Sequence, residues 1–279
     1  MKSLFDTVSY NCSKLVTKTY STSFSLATKM LYKSIRHDIY NIYGFVRFAD
    51  EIVDSFHDYN KEELFDRFSE DLELALKDKI SLNPILNSFQ YTFHKYQIDK
   101  ALVDAFMQSM RLDLHKTTYL TEDEYKAYIY GSADVVGLMC LKVFVNGNDE
   151  KYNELKESAM ALGSAFQKVN FLRDLKADFE GLDRTYFPNT DLKNLNELSK
   201  QEIINDIEND FEAGLSGIKK LPIEAKFGVF MAYRYYKQLL KKLKRTPALK
   251  IKDSRIRVSN PKKIELLMRS YVKYQLNLL

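Results

Sequence analysis

From residue 64 onward the apolar side chains fall at Leu64, Phe65, Phe68, Leu72 and Leu76, intervals of three and four that gather them on one side of an α-helix. The same interval returns at Leu239, Leu240 and Leu243, and no segment alternates as a strand would, so the chain is expected to be all-α. Breakers are scarce, with nine glycines and five prolines in 279 residues, and this favours long helices. Thr121 with Glu124 and Ser199 with Glu202 predict capping boxes, while Asn83-Pro84 and Asn260-Pro261 place a cap residue before a first-turn proline. Breaks are expected near Thr17 to Ser25, Tyr59, Lys79 to Pro84, Asn146 to Asp149, Gly181 to Ser199, Lys220 to Pro222 and Arg245 to Ser259. No flexible linker, charge block or fixed-period repeat divides the chain, so one domain, residues 1–279, of roughly eight to ten helices is expected.

Charge and cysteine usage exclude several classes. The 42 Lys and Arg against 38 Asp and Glu give a formal charge of +4, and basic residues mix with acids everywhere except Lys237 to Arg245, so no nucleic-acid surface is expected. Cys12 and Cys140 are isolated, and the four histidines never fall in a ligand-spaced pair, which argues against a disulfide framework or zinc site. No run of about 18 apolar residues occurs and the N-terminus lacks the apolar stretch of a signal peptide. A cytoplasmic chain that does not span a membrane is expected.

Two helical segments carry acids in a pattern that needs explanation. In Arg47-Phe48-Ala49-Asp50-Glu51-Ile52-Val53-Asp54, Asp50 and Asp54 stack one turn apart with Arg47 on the same side. Taken alone this is a solvated acidic face. Farther on, Gln167, Asn170, Asp174 and Asp178 form a wholly polar row with Arg173 beside it, among apolar or small neighbours such as Ala165, Phe166, Val169 and Leu172. A buried polar row must be paired or must bind something. Two such faces on separate helices would converge on a cavity that holds Mg²⁺ through oxygens shared with phosphate groups.

Arg47-x-x-Asp50-x-x-x-Asp54 followed by Gln167-x-x-Asn170-x-x-Arg173-Asp174-x-x-x-Asp178 resembles the paired signature of the squalene and phytoene synthases, the head-to-head prenyl synthases. Tyr20-Ser21-Thr22-Ser23-Phe24, the Tyr130-Gly131 to Gly137 segment and Arg184-x-Tyr186-Phe187-Pro188 resemble further family segments, and Tyr236 and Arg255 a late tyrosine and a diphosphate-binding arginine. The resemblance implies an isoprenoid synthase helical bundle with a central active-site cavity. It implies condensation of two prenyl diphosphates through a cyclopropylcarbinyl diphosphate, followed by a second ionisation, rearrangement and proton loss. Asp50, Asp54, Asp174 and Asp178 would carry Mg²⁺, with Mn²⁺ as a substitute, and Asn170 and Gln167 would orient ligands or bound water. Arg47, Arg173, Arg184 and Arg255, with Ser21, Ser23 and Tyr186, would hold substrate, and Tyr43 and Tyr236 would line the cationic path or pack.

The compact length and the Asp-Glu-Ile-Val-Asp run look most like bacterial phytoene synthases, which use two geranylgeranyl diphosphates. Squalene or dehydrosqualene synthase, using two farnesyl diphosphates and for squalene NADPH, is the alternative within the chemistry. A non-catalytic assembly protein is the alternative outside it, and a head-to-tail prenyltransferase or terpene cyclase would be expected to carry Asp-Asp-x-x-Asp instead. The apolar product must leave into a membrane, so peripheral contact with its inner face is considered for the basic stretch Lys237 to Arg245, against a solvated helix face. Asp134 stands where relatives often carry glycine, and the sequence offers no physical account of it.

Overall fold

A computed structural model describes residues 1–182, 186–188, 195–251 and 256–275, and their side chains except those of 177–182, 260 and 273. Among the described residues the chain forms α1 (Lys2–Tyr20), α2 (Thr22–Lys29), α3 (Lys33–Ser55), α4 (Lys61–Asp78), α5 (Pro84–Lys95), α6 (Lys100–Leu112) and α7 (Glu122–Ile129). A single π-helical turn, Tyr130–Asp134, leads into α8 (Val135–Phe144), and then come α9 (Asp149–Leu182), α10 (Glu197–Lys220), α11 (Ile223–Arg245), α12 (Ala248–Ile251) and α13 (Asn260–Gln275). The all-α expectation holds. The thirteen α-helices among the described residues exceed the eight to ten expected, because the chain turns at Gln97, where no break was expected, and forms the one-turn α12 inside the expected break from Arg245 to Ser259.

The sequence signals act locally as expected at two starts. Thr121 accepts from the Glu124 amide at 3.2 Å, and Asn83 accepts from the Ile85 and Leu86 amides ahead of Pro84. The third differs: α10 begins three residues before the expected position, where Asn196 is the cap and Ser199 the reciprocal partner whose hydroxyl receives the Asn196 amide at 3.1 Å. Asn caps as well as Ser does, and the earlier cap extends the helix by most of a turn.

Two apolar clusters make the interior. One joins α3 to α6 and α8 around Phe45, Phe65, Phe89 and Phe106, and the other joins α7, α9, α10 and α11 around Phe171, Ile204, Phe211 and Leu240. Phe144, Tyr152, Ala159 and Val229 pack against both, so the clusters meet along α8, α9 and α11. The run Glu122–Phe144 has the length and apolarity of a membrane span, but Val135, Leu138, Met139, Leu141 and Val143 lie in the core.

Lys237 to Arg245 form the last turns of α11. Leu239, Leu240 and Leu243 are fully enclosed in the core, so they are not free to enter a bilayer. Lys242 donates to the Arg257 carbonyl at 2.6 Å, Lys244 pairs with Glu208 at 3.0 Å, and Lys237 lies over the Phe211 ring.

Candidate active site

A cavity of about 320 Å³ lies between α2, α3, α8, α9, α10 and α11. Its wall is apolar for most of its length: Leu31, Ile39 and Ile42 on one side, Val136, Cys140 and Phe144 on another, and Leu155, Ala159 and Leu162 on a third. Gly137 and Gly163 line it and also bring helices together. A Cβ at Gly137 would stand 3.0 Å from the Ala159 carbonyl oxygen, and one at Gly163 3.0 Å from that of Ala133. Close packing and cavity wall are thus the same feature.

The cavity changes character toward one end. On α3 the lining passes from Ile39 and Ile42 to Tyr43 and Val46, and Asp50 follows one turn on. On α9 it passes from Leu155, Leu162 and Phe166 to Gln167 and Asn170, and Asp174 follows one turn on. Tyr236 of α11 closes this end: its ring stacks on Phe166 at 4.1 Å and its hydroxyl donates to Asn170 Oδ1 at 3.3 Å. Tyr43 stacks on Phe24 at 4.7 Å and is hydrogen-bonded to Ser21. Burial pushes the Tyr43 phenol up to about 12 and raises that of Tyr236, so both stay protonated.

On α3, Arg47 divides its guanidinium between Asp50 and Glu51, and its charge lies over the Tyr20 ring at 4.5 Å. Glu51, next to the stacked acids in the chain, therefore shares the arginine with Asp50. Burial and the charge of Asp54 push the Asp50 carboxyl up to about 7, with Asp113 and Glu51 adding to the repulsion against Arg47. The Asp50 side chain is still 33% exposed, so an ion can reach it. On α9, Arg173 makes a two-pronged contact with Asp174, one arm at 2.9 Å, and that carboxylate more than offsets the burial that opposes the arginine's charge.

A second, polar pocket of about 520 Å³ adjoins this end, lined by Tyr20, Ser21, Thr22, Ser23, Arg173, Tyr235, Arg257 and Lys263 among others. The structure thus brings Ser21, Ser23 and Arg173 to one pocket, and Tyr43, Gln167, Asn170 and Tyr236 to one end of the cavity. Tyr186 goes elsewhere. It is buried, with its ring 3.8 Å from Phe171 and 5.7 Å from Tyr128. The Asp178 side chain, Arg184 and Arg255 lie outside the described residues.

Asp113 is the residue sequence reasoning missed. It lies just past α6, buried, and accepts hydrogen bonds from Tyr128 at 2.8 Å and Tyr119 at 3.2 Å while its charge reaches Asp50. A lone acid with no partner at helical spacing gives no signal in the sequence. Tyr186 stacks on the same tyrosines, which makes it a support of this carboxylate. Cys12 and Cys140 are both free thiols.

An all-α bundle around an apolar cavity with acid and arginine residues at one end defines the isoprenoid synthase class. Residues 17–262 match the squalene/phytoene synthase family model, and the chain belongs to that family of prenyltransferases, which join two prenyl diphosphates head to head. It is 28% identical to a 15-cis-phytoene synthase of Synechocystis sp. over 95% of this chain and 85% of that one. It is 27% identical to a phytoene synthase of Arthrospira platensis over 85% of this chain and 84% of that one. A crystal structure of a dehydrosqualene synthase in complex with a ligand superposes with a TM-score of 0.82 at 20% identity, covering 97% of this chain and 98% of that one, a likeness of fold.

Proposed function

We propose that this chain, acting as one domain, joins two geranylgeranyl diphosphates into phytoene through a cyclopropylcarbinyl diphosphate, as a step of carotenoid biosynthesis. The observation that carries the reading is the matched change from apolar to polar along α3 and α9, which leads one apolar cavity to a charged end. Two relatives matched over most of their length are phytoene synthases, and this supports the longer substrate.

The donor set suits a hard divalent cation, Mg²⁺ with Mn²⁺ as alternative. Asp50 and Asp54 repel each other, and this repulsion together with burial holds the Asp50 carboxyl up to about 7, an imbalance that a divalent cation would relieve. Among the described residues no three acid, histidine or cysteine side chains form a cage on their own, and Mg²⁺ is commonly held by one or two carboxylates plus phosphate oxygens. Asp50, Asp54, Asn170 and Asp174 would hold it, with Asp178 assigned alongside from the sequence. When bound it neutralises charge on the departing diphosphate oxygens.

The protein's own groups do the rest. Arg47 and Arg173 offer planar forks to diphosphate oxygens, and Ser21 and Ser23 line the polar pocket beside Arg173. Gln167 orients ligands at the rim. Tyr43, Phe166 and Tyr236 present aromatic faces to the allylic cation where water is excluded. Arg184 and Arg255 are assigned to the diphosphate from the sequence.

Incubation of the purified chain with Mg²⁺ and either geranylgeranyl or farnesyl diphosphate, with and without NADPH, tests the reading by mass analysis of the hexane extract. A C40 hydrocarbon from geranylgeranyl diphosphate without reductant is expected. C30 products alone would move the chain to the squalene branch, and no hydrocarbon from either substrate, with helicity intact, would overturn the catalytic reading.

A further inference from the structure

On α3 two carboxylates divide one arginine. Arg47 sends one amino group to Asp50 and the other to Glu51, three and four residues further on. Around the helix those two acids stand about 100° apart, one on each side of Arg47. The contacts use different nitrogens and different carboxylates, so one can open while the other stays closed. On α9 the described contacts of Arg173 run otherwise, with Nε and an amino group both going to Asp174.

Asp50 has a second claim on it. Asp54 repels it, and on the function proposed above the two carboxylates share a divalent cation. An Asp50 oxygen engaged by a cation is a poorer acceptor for the guanidinium. Arg47 is poorly placed to turn to water instead, since its side chain is 27% exposed and its Nε is buried with no hydrogen-bond partner. The Tyr20 ring covers one face of the guanidinium at 4.5 Å, which leaves the edges of the fork for exchanging acceptors. A half-buried arginine stripped of every carboxylate would hold Asp50 back from the cation. Glu51, only 18% exposed and already on the other arm, removes that penalty.

We propose that Glu51 is a positioning residue that holds Arg47 while Asp50 passes from the arginine to the cation. It acts through Arg47 and not as a further ligand, in keeping with the finding that among the described residues no three acid, histidine or cysteine side chains form a metal cage. The arm that Asp50 releases becomes a free donor at the same moment, aimed from the α3 side at a diphosphate oxygen. The inference rests on the proposed role of Asp50 toward the cation and is independent of which prenyl chain is bound.

Mn²⁺ is the probe, because its electron paramagnetic resonance signal reports binding without turnover. The full chain is titrated with Mn²⁺, alone and with inorganic pyrophosphate, and the Mg²⁺ dependence of hydrocarbon formation is measured beside it. Glu51→Gln is expected to weaken Mn²⁺ binding about tenfold and to raise the Mg²⁺ concentration for half-maximal turnover by a similar factor. In the Arg47→Gln background the same substitution should leave Mn²⁺ binding where Arg47→Gln alone puts it, because Asp50 no longer has an arginine to leave. Glu51→Asp keeps the charge and shortens the reach to Arg47, so it should weaken binding about threefold, and it carries the test should Glu51→Gln fail to fold. Equal losses in both backgrounds would overturn the proposal and make Glu51 a cation ligand or a plain source of negative field. Unchanged Mn²⁺ binding in Glu51→Gln would overturn it as well, and so would a wild type that takes up no Mn²⁺ under either condition. Mn²⁺ binding with the expected coupling, in a chain that forms no hydrocarbon, would remove the proposed reaction and keep the role of Glu51.

Discussion

Ser164 donates a 2.7 Å hydrogen bond to the Asp134 carboxylate, tying the π-helical turn to the middle of α9. Beside them Lys168 pairs with Asp206 at 2.5 Å and Asp210 at 2.8 Å of α10. A buried aspartate that nothing in the sequence explains thus belongs to a polar seam between three elements. The seam lies on the side of α9 away from the cavity, since Ser164 and Lys168 are not among the residues that line it.

Asp134 makes stability depend on pH. Burial, against the help of Ser164, pushes its carboxyl up to about 7, above the ordinary 3.8. The folded state therefore holds a proton that the unfolded chain has released, and stability falls as pH rises from about 4 to about 7. Asp134→Asn should stabilise the protein by about 1–3 kcal/mol at pH 8 and change little at pH 4. Urea unfolding at the two pH values measures the difference.

Asp50 should trade stability for activity. Its ionised form is disfavoured by burial and by Asp54, so Asp50→Asn is expected to raise the melting temperature of the unliganded protein at neutral pH. Turnover should fall about 10²-fold or more, as when a transition-state charge stabiliser is removed. Asp174→Asn should lose turnover to the same degree. Near-wild-type rates in both variants would remove these carboxylates from the reaction.

Tyr128 and Asp113 offer a test free of substrate. Tyr128→Phe deletes the 2.8 Å donor to a buried carboxylate while keeping the ring stack, and should cost about 1–3 kcal/mol. In the Asp113→Asn background the same change should cost less, a coupling that a double-mutant cycle in chemical denaturation reads directly.

Gly217 records how closely α10 approaches α9. A Cβ there would overlap that of Ser158, so Gly217→Ala should destabilise by about 1–3 kcal/mol, net of the helix preference for alanine. Adding Ser158→Gly should recover most of the loss, and thermal unfolding of the four proteins distinguishes a steric cause from any other.

What the sequence disclosed follows from how local each feature is. Helix type and the Thr121 and Asn83 caps depend on neighbours within four residues, and so did the polar row from Gln167 to Asp174. The α10 start was misplaced because Asn196 and Ser199 both cap well and only the surrounding chain selects between them. Asp113, the partners of Asp134 and the burial of Leu239, Leu240 and Leu243 depend on elements far apart in the chain. Spacing within one helix holds no trace of them. The difference between Ile264 and Leu266 of α13 was equally hidden, since the two look alike until the helix has chosen which one to bury.

The longest helix sets a scale for the whole site. The lining of α9 runs from Leu155 to Asn170 on one uninterrupted rod, which at the rise of an α-helix is about 22 Å. Depth measured from the charged end is therefore graduated like a ruler, with about 6 Å between wall positions four residues apart such as Ser158 and Leu162. A single side chain enlarged at one mark would shorten the usable length by a whole graduation while the charged end kept its geometry.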